Sequence, residues 1–256
     1  MPTRDGYAEG TPSWVELGTP DVREAADFYG AVFDWEFRAE NTPRPHHTAL
    51  RHGLPAAGIG ELDEPARPPG WTTYFAVDDA DAVSARIGVA GGVIRFGPDQ
   101  VGTAGRLVVA ADPTGAVFGI RQAGDLLGAE VVNEHGGLNW NELITDDIDS
   151  ATIFYTEVFG YQSDVEDWGD GHFYTTFKVA DRGIAGGAAK PRPDIANHWN
   201  VYFSVDDADR AIMTATDNGG AILREARETE GVGVIARLAD PAGSPFTIIE
   251  LANEID

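Results

Sequence analysis

The sequence of 256 residues contains no cysteine, and this absence excludes disulfides, thiolate metal ligands and cysteine nucleophiles together. Lysine is scarce, with only Lys178 and Lys190. No apolar run approaches the roughly 20 residues that span a bilayer, so no membrane partner is expected. Residues 1–10 contain neither an apolar core region nor a small-residue cleavage site, which predicts no signal peptide and a cytoplasmic location.

Basic residues as a whole are few, and the formal net charge is −24. Binding to phosphate backbones or to anionic lipid headgroups depends on Lys and Arg side chains, so a nucleic acid partner is not expected. Hydrophobic residues make up 43% of the chain and aromatic residues 10%. This composition is typical of a soluble globular protein, and the charge predicts an acidic, well-solvated surface.

One pattern is written twice in the chain. The segment from Trp14 to Leu17 recurs from Trp140 to Leu143, displaced by 126 residues, and several further motifs recur in the same order. Several unrelated motifs at nearly one spacing indicate two duplicated modules rather than a solenoid. The further pairs are Phe28-Tyr29 with Phe154-Tyr155, Trp71 with Trp199, Tyr74-Phe75 with Tyr202-Phe203, Val77-Asp-Asp with Val205-Asp-Asp, Gly91-Gly92 with Gly219-Gly220, and Asp112-Pro-Thr-Gly115 with Asp240-Pro-Ala-Gly243.

The duplication predicts the domain organisation and the fold class. We predict a first module over residues 1–123, a linker bounded by glycines over residues 124–137, and a second module over residues 138–256. Each half alternates strand and helix patterns, which predicts an α+β fold of four βαβββ units, two in each half.

The first strand of each half precedes a helix that begins at a short carboxylate, Asp21 or Asp146–Asp147, and Gly160 is typical of a helix end. The predicted strands of the first half are Trp14–Thr19, Trp35–Ala39, Thr48–His52, Ala56–Leu62, Thr72–Val77, Leu107–Ala110 and Val117–Arg121. Those of the second half are Trp140–Thr145, Gln162–Asp167, Tyr174–Val179, Gly183–Ala189, Asn200–Val205, Ile235–Leu238 and Phe246–Glu250. Further helices are predicted at Ala80–Ala90 and Ala208–Asn218.

These motifs in this order resemble the vicinal oxygen chelate superfamily, which comprises glyoxalases, bleomycin-resistance proteins and dioxygenases. The resemblance runs from about Thr11 to Leu251. Within the superfamily, the chain is similar to two-module actinobacterial glyoxalase-like proteins labelled as hydroxylases or antigens. It implies curved mixed sheets that form cups. In that superfamily a divalent metal in the cup polarises vicinal oxygens of the substrate.

The resemblance also implies where three metal ligands of each module would stand. None of the residues at these positions is a good ligand for Zn, Fe, Mn or Ni, which prefer imidazole nitrogens and carboxylate oxygens. We therefore expect no metal site and no cofactor in either module. The positions are Trp14, Thr72 and Gly119 in the first module, and Trp140, Asn200 and Thr247 in the second.

The histidines do not replace these ligands by their spacing. His46, His47 and His52 cluster around two strands, but an odd separation turns His47 and His52 to opposite faces of one strand. We expect all three in loops or on the surface. A pairing of His172 with Glu142 stays open, although no spacing argues for it.

Strand alternation predicts which side chains line the cups. Positions with the parity of Trp71 and Phe75 should pack on helices, leaving the alternate positions to the cup. The candidate ligand-binding residues are Trp14, Thr72, Tyr74, Trp140, Asn200, Tyr202 and Thr247, and the candidate catalytic residues are Glu16 and Glu142.

These cup residues have structural interpretations as well. The two tryptophans could fill the space of an absent metal site, and the two glutamates could bond neighbours and serve only the fold. Duplicated inward carboxylates are costly to bury unless something pairs them, which favours function.

Three functions compete at this point. The first is a metal-independent protein that binds an aromatic metabolite or antibiotic, because aromatic walls with few polar groups suit flat ligands. The second is a glyoxalase-like lyase, dioxygenase or hydroxylase that acts on a carbonyl or polyketide-like substrate, with a cup glutamate as base. The third is a structural or antigenic protein with a vestigial cup. A small-molecule ligand is the expected partner, and the chain is expected to be a monomer or a homodimer.

Overall fold

The structure is a computed structural model that describes residues 6–62, 68–169 and 171–252. Strands alternate with helices in the order that the sequence predicts. The elements are β1 (Pro12–Thr19), α1 (Val22–Phe33), β2 (Glu36–Ala39), β3 (His46–Arg51), β4 (Leu54–Glu61), β5 (Gly70–Ala76), α2 (Ala80–Val89), β6 (Val93–Val101), β7 (Gly105–Ala111), β8 (Val117–Ala123), β9 (Leu138–Thr145), α3 (Ile148–Phe159), β10 (Gln162–Asp167), β11 (Phe173–Val179), β12 (Arg182–Ala189), β13 (His198–Ser204), α4 (Ala208–Asp217), β14 (Ala221–Thr229), β15 (Gly233–Ala239) and β16 (Pro245–Leu251).

Each half of the chain forms one open, mixed sheet of eight strands. The order is β2-β3-β4-β1-β5-β8-β7-β6 in the first sheet and β10-β11-β12-β9-β13-β16-β15-β14 in the second. The two sheets have the same topology, which confirms the predicted α+β fold of two tandem modules. The prediction lacked the edge strands β6 and β14. Strand β14 is exposed almost throughout and rich in charge, so its side chains show no alternation of apolar and polar positions.

The helices begin and end where the sequence predicts. The carboxylate of Asp21 accepts from the backbone N–H groups of Arg23 and Glu24, and Asp147 accepts from Ser150 at the start of α3. Gly160 ends α3 with φ 72°, a left-handed conformation that favours glycine. No helix of the described chain is long and apolar enough to cross a membrane.

The helices lie between the two sheets and join the modules. Helix α1 packs on α4, and α2 packs on α3, while β5 contacts β13 directly. Each of the two large hydrophobic cores therefore contains side chains from both modules, such as Phe33 with Phe203 and Phe75 with Trp199. The faces of the sheets that point away from the helices are the two cups.

Buried tyrosines tie each module to the other. The hydroxyl of Tyr29 donates to Asp240 at 3.2 Å and accepts from the indole N–H of Trp71 at 3.0 Å. Burial raises the pKa of Tyr29 well above its usual range, so the phenol stays a donor. The repeated Phe-Tyr, Trp and Asp-Pro-x-Gly motifs thus meet across the module interface. The second set consists of Tyr155, Asp112 and Trp199, with distances of 3.0 and 2.8 Å.

Candidate functional site

The first cup is the outward face of the first sheet, and it is covered by the chain itself. Leu126, Ala129 and Val132 of the segment 124–137 pack on Trp14 and Tyr74. Trp14 is only 3% exposed as a result. The predicted linker is therefore a packed segment, which lies over the first cup.

Hydrogen bonds hold the covering segment 124–137 in place. The N–H of Ala129 donates to the carbonyl of Ser13 at 2.8 Å, and the N–H of Glu130 donates to that of Pro55 at 2.7 Å. The guanidinium of Arg121 donates to the carbonyl of Leu126 at 2.8 Å and lies over the Trp14 ring, 5.4 Å from its centroid. Burial lowers the pKa of Arg121 to about 10, which still leaves it charged at neutral pH.

Glu16 contacts His46 inside the first cup, and the two form an ion pair when the imidazole is protonated. Its carboxylate lies 3.2 Å from Nε2 of His46 and 3.3 Å from the indole N–H of Trp14. Burial alone would raise the pKa of Glu16, but the hydrogen bond and charge of His46, with help from Trp14 and Arg121, outweigh it and lower the pKa. The expectation that His46 is a loop or surface residue is wrong, because His46 lies half-buried at the start of β3.

Glu142 stands at the same place in the second cup, but no cationic side chain among the described residues contacts it. Its carboxylate accepts from the hydroxyl of Tyr202 at 2.8 Å. Burial raises the pKa of Glu142, and the bond from Tyr202 and the more distant charge of Arg224 offset this only in part. Glu142 therefore keeps its proton to a higher pH than an ordinary glutamate does.

The register of the sheets explains why the two glutamates differ. Glu16 pairs with Gly58, and Gly58 with Thr48, while Glu142 pairs with Gly186, and Gly186 with Thr176. The residue two positions before each threonine contacts the glutamate. It is His46 in the first cup and Tyr174 in the second.

Tyr174 extends the second cup toward solvent. Its hydroxyl accepts from the indole N–H of Trp140 at 2.9 Å. The exposed ring of Trp168 stacks on Tyr174 with centroids 4.4 Å apart and an angle of 7°. Trp140, which is half-buried, Tyr174 and Trp168 form a continuous aromatic wall from the floor of the cup to its rim.

The positions that hold metal in the superfamily do not fit a metal here. In the first cup a side chain at Gly119 is blocked, because its Cβ would lie 2.1 Å from the ring of Tyr74. In the second cup the amide of Asn200 donates to the hydroxyl of Thr247 at 3.0 Å, and the two satisfy each other. The described residues contain no group of three or more His, Asp and Glu side chains placed to hold a metal ion.

Other predicted and missed residues can now be placed. Thr72 is buried on the first cup face beside Glu16, and His172 is exposed in the turn after β10 without a contact to Glu142. The sequence did not identify Tyr174, Trp168 or the arginines of β14 and β15 as cup residues. Alternation on β15 could have predicted Arg237 as a cup residue. Its neighbour Leu238 is buried toward the helices, so Arg237 points to the opposite face of the sheet.

Two surface clefts also lie at the helix layer rather than in the cups. The larger, of about 360 Å³, is lined by Asp21, Glu24 and Asp27 of the α1 start and by the Asn218–Gly219 turn. The smaller, of about 180 Å³, lies beside His135. Neither contains convergent aromatic side chains, so the cups remain the candidate ligand sites.

Comparison with known proteins assigns the family. The model of the Glyoxalase/Bleomycin resistance protein/Dioxygenase superfamily matches residues 11–120 and 137–248. The chain therefore belongs to this superfamily.

Relatives align along nearly the whole chain. The Mycobacterium tuberculosis protein named "Putative glyoxylase CFP32" is 38% identical over 262 residues, covering 99% of this chain and 100% of that protein. The "Anthracycline biosynthesis protein DnrV" of Streptomyces peucetius is 35% identical over 269 residues, covering 96% and 94%.

Among solved structures, the Mn(II)-bound glyoxalase from Novosphingobium aromaticivorans has a TM-score of 0.67 at 19% identity and covers 98% of this chain and 85% of that chain. A catechol 2,3-dioxygenase has a TM-score of 0.66 at 15% identity, covering 94% and 88%. At these identities the likeness shows the shared fold.

Proposed function

We propose that this protein binds a planar aromatic metabolite or antibiotic in its second cup, without a metal ion. The observation that carries the proposal is the aromatic wall of Trp140, Tyr174 and Trp168 beside the protonatable Glu142. Aromatic rings supply contact area to a flat ligand, and a few polar groups orient it. The 35% identity to anthracycline biosynthesis proteins supports a polycyclic, polyketide-like ligand.

The proposal gives the first cup a structural role. Trp14 and Tyr74 lie beneath the segment 124–137, and Glu16 is paired with His46. Thr72 lies beside Glu16 on the same covered face. In the second cup, Tyr202 beside Glu142 is the polar side chain that would orient the ligand, while Asn200 and Thr247 bond each other beneath it.

Calorimetric titration with the hydroxyanthraquinone alizarin tests the proposal. We expect Trp140→Ala to weaken binding by about threefold to tenfold, the contribution of one aromatic contact. Tyr74→Phe in the first cup is the matched control and should leave the affinity unchanged. Equal losses in both variants, or no binding by the wild type, would contradict the assignment to the second cup. Metal analysis of the same dialysed protein completes the test, because a stoichiometric divalent ion would refute metal-independent binding.

A second candidate function is an enzyme with Glu142 as general base. Its raised pKa and the contact with Tyr202 favour this alternative, since a base works best when its pKa lies near the working pH. The reaction would be that of a lyase, dioxygenase or hydroxylase on a carbonyl or polyketide-like substrate. Turnover should then rise as pH rises through the pKa of Glu142, and Glu142→Gln should abolish it. Unchanged turnover in that variant would exclude the role.

A further inference from the structure

One row of directly opposed residues crosses five strands of each sheet. In the second sheet the row comprises Arg224, Arg237, Thr247, Tyr202 and Trp140, on β14, β15, β16, β13 and β9. Directly opposed residues project from the same face, so all five belong to the second cup.

The corresponding row of the first sheet carries no charge. It comprises Phe96, Val109, Gly119, Tyr74 and Trp14. The two rows share Trp and Tyr, but Phe96 and Val109 are replaced by two arginines in the second cup.

A third arginine stands on the same face. Arg227 pairs with Ile235 two positions along β15 from Arg237, whereas the equivalent residue of the first module is Asp99, which pairs with Leu107. The duplication has thus placed three arginines on one face of the second sheet, in a chain whose net charge is −24.

These arginines have no carboxylate partner in the described part of the chain. Among the described residues, Arg224, Arg227 and Arg237 form no ion pair within 4.0 Å. The Nε of half-buried Arg237 is itself buried, and it has no hydrogen-bond partner in the described part of the chain. Glu142, Asp164 and Glu166 are carboxyl groups of this face, and Glu142 interacts with Arg224 and Arg237 only from a distance.

A neutral group holds Arg237 in position. Nδ1 of His198 lies 2.8 Å from the carbonyl of Ala196, so it carries the proton and leaves Nε2 to accept from Nη2 of Arg237 at 2.9 Å. Burial lowers the pKa of His198, which keeps the ring neutral. The guanidinium is therefore oriented without being neutralised, and the first module has Gly70 at the place of His198.

We propose that the second cup recognises an acidic aromatic ligand, whose oxyanion binds Arg237 and Arg224 while its ring system lies against Trp140. This inference rests on the proposed ligand site and adds the chemical class of the ligand. Arg237 lies three strands from Trp140, about 14 Å at the usual strand spacing, so the ligand is larger than a single ring. A planar carboxylate with fused rings matches both ends of this cup.

The test compares an acid with its uncharged analogue. Anthraquinone-2-carboxylate and anthraquinone-2-carboxamide are titrated into the wild type and into Arg237→Gln. We expect the wild type to bind the carboxylate about tenfold more tightly, the effect of one charge-assisted hydrogen bond, and Arg237→Gln to remove this preference without changing carboxamide binding. Arg224→Gln, at an exposed position, should reduce the same preference and serves if Arg237→Gln folds poorly.

The control variant is Arg95→Gln, which removes one exposed positive charge from β6 of the first module and should keep the preference. Equal affinity of the wild type for the two compounds would overturn the anion site while leaving the proposed aromatic site intact. Equal weakening of both compounds by Arg237→Gln would overturn it too. Binding of neither compound by the wild type would overturn both proposals.

Discussion

Glu16 and Glu142 show how one residue position acquires two chemical characters. Both glutamates follow a tryptophan by two residues on the first strand of a module, and both point into a cup. The charge of His46 stabilises the carboxylate of Glu16, whereas Tyr174 and Tyr202 offer Glu142 only neutral hydroxyl groups. The pKa is consequently lowered in one cup and raised in the other.

This difference predicts opposite effects on stability. We expect Glu16→Gln to lower the free energy of unfolding by about 1–3 kcal/mol near pH 6, because it removes a hydrogen bond between charged groups. The loss should shrink as pH falls through the lowered pKa of Glu16 and as it rises through the raised pKa of His46. Urea titrations across pH 2 to 9 measure both limbs.

Glu142→Gln should have the opposite effect on the free energy of unfolding. When the pKa of a carboxyl group is raised in the folded state, the free energy of unfolding falls as pH rises from the group's ordinary pKa of 4.5. The variant should therefore be more stable than the wild type at pH 8 and equal to it near pH 4. A destabilised variant at pH 8 would show that the carboxylate of Glu142 is paired in the folded protein.

Strand alternation predicted Trp14, Glu16, Trp140 and Glu142 as cup residues, because the first strands are regular and apolar on one side. The residues that contact these side chains could not be predicted from the sequence. The meeting of His46 with Glu16 depends on the register between β3 and β4, which shifts at Ala49/Leu50. A register between separate strands is set by tertiary packing rather than by the pattern of either strand alone.

At the scale of elements, the sequence did not predict how the segment 124–137 packs. Its glycines indicated a linker, yet Ala129 and Val131 are fully buried. The segment contains too few apolar residues in any regular spacing to predict burial. Its packing depends on the concave face of a sheet that is complete only after eight strands have paired.

We predict that Arg121 fastens this segment over the first cup. Arg121→Met removes the donors to the carbonyls of Ala104 and Leu126 and should accelerate amide exchange at Ala129 and Glu130 by about tenfold, since each lost bond weakens local closure by about 1 kcal/mol. Hydrogen exchange read by mass spectrometry measures this.

Arg106→Gln is the matched control, because Arg106 pairs with Asp81 at the surface and has no contact with the segment. Exchange that is equally fast in both variants, or unchanged in Arg121→Met, would mean that apolar packing alone holds the cover.

At the scale of the molecule, the duplication produces two modules that share their hydrophobic cores. Each hydrophobic core combines helices and strands of both modules, and Tyr29 and Tyr155 bond the opposite module's Asp240 and Asp112. The sequence revealed these tyrosines and aspartates as repeated motifs. It did not reveal that each copy meets its counterpart in the other module, because both copies of a motif have the same local pattern.

The shared cores predict a single cooperative unfolding transition, with a calorimetric enthalpy equal to the van't Hoff enthalpy. Tyr155→Phe leaves the buried indole N–H of Trp199 and the carboxylate of Asp112 without the hydroxyl, so it should cost about 1–3 kcal/mol and lower the midpoint without splitting the transition. Tyr29→Phe should have the same effect from the other module. Two separated transitions in either variant would show that each module folds alone. The bonds between Tyr29 and Asp240 and between Tyr155 and Asp112 would then only hold together two modules that are already folded.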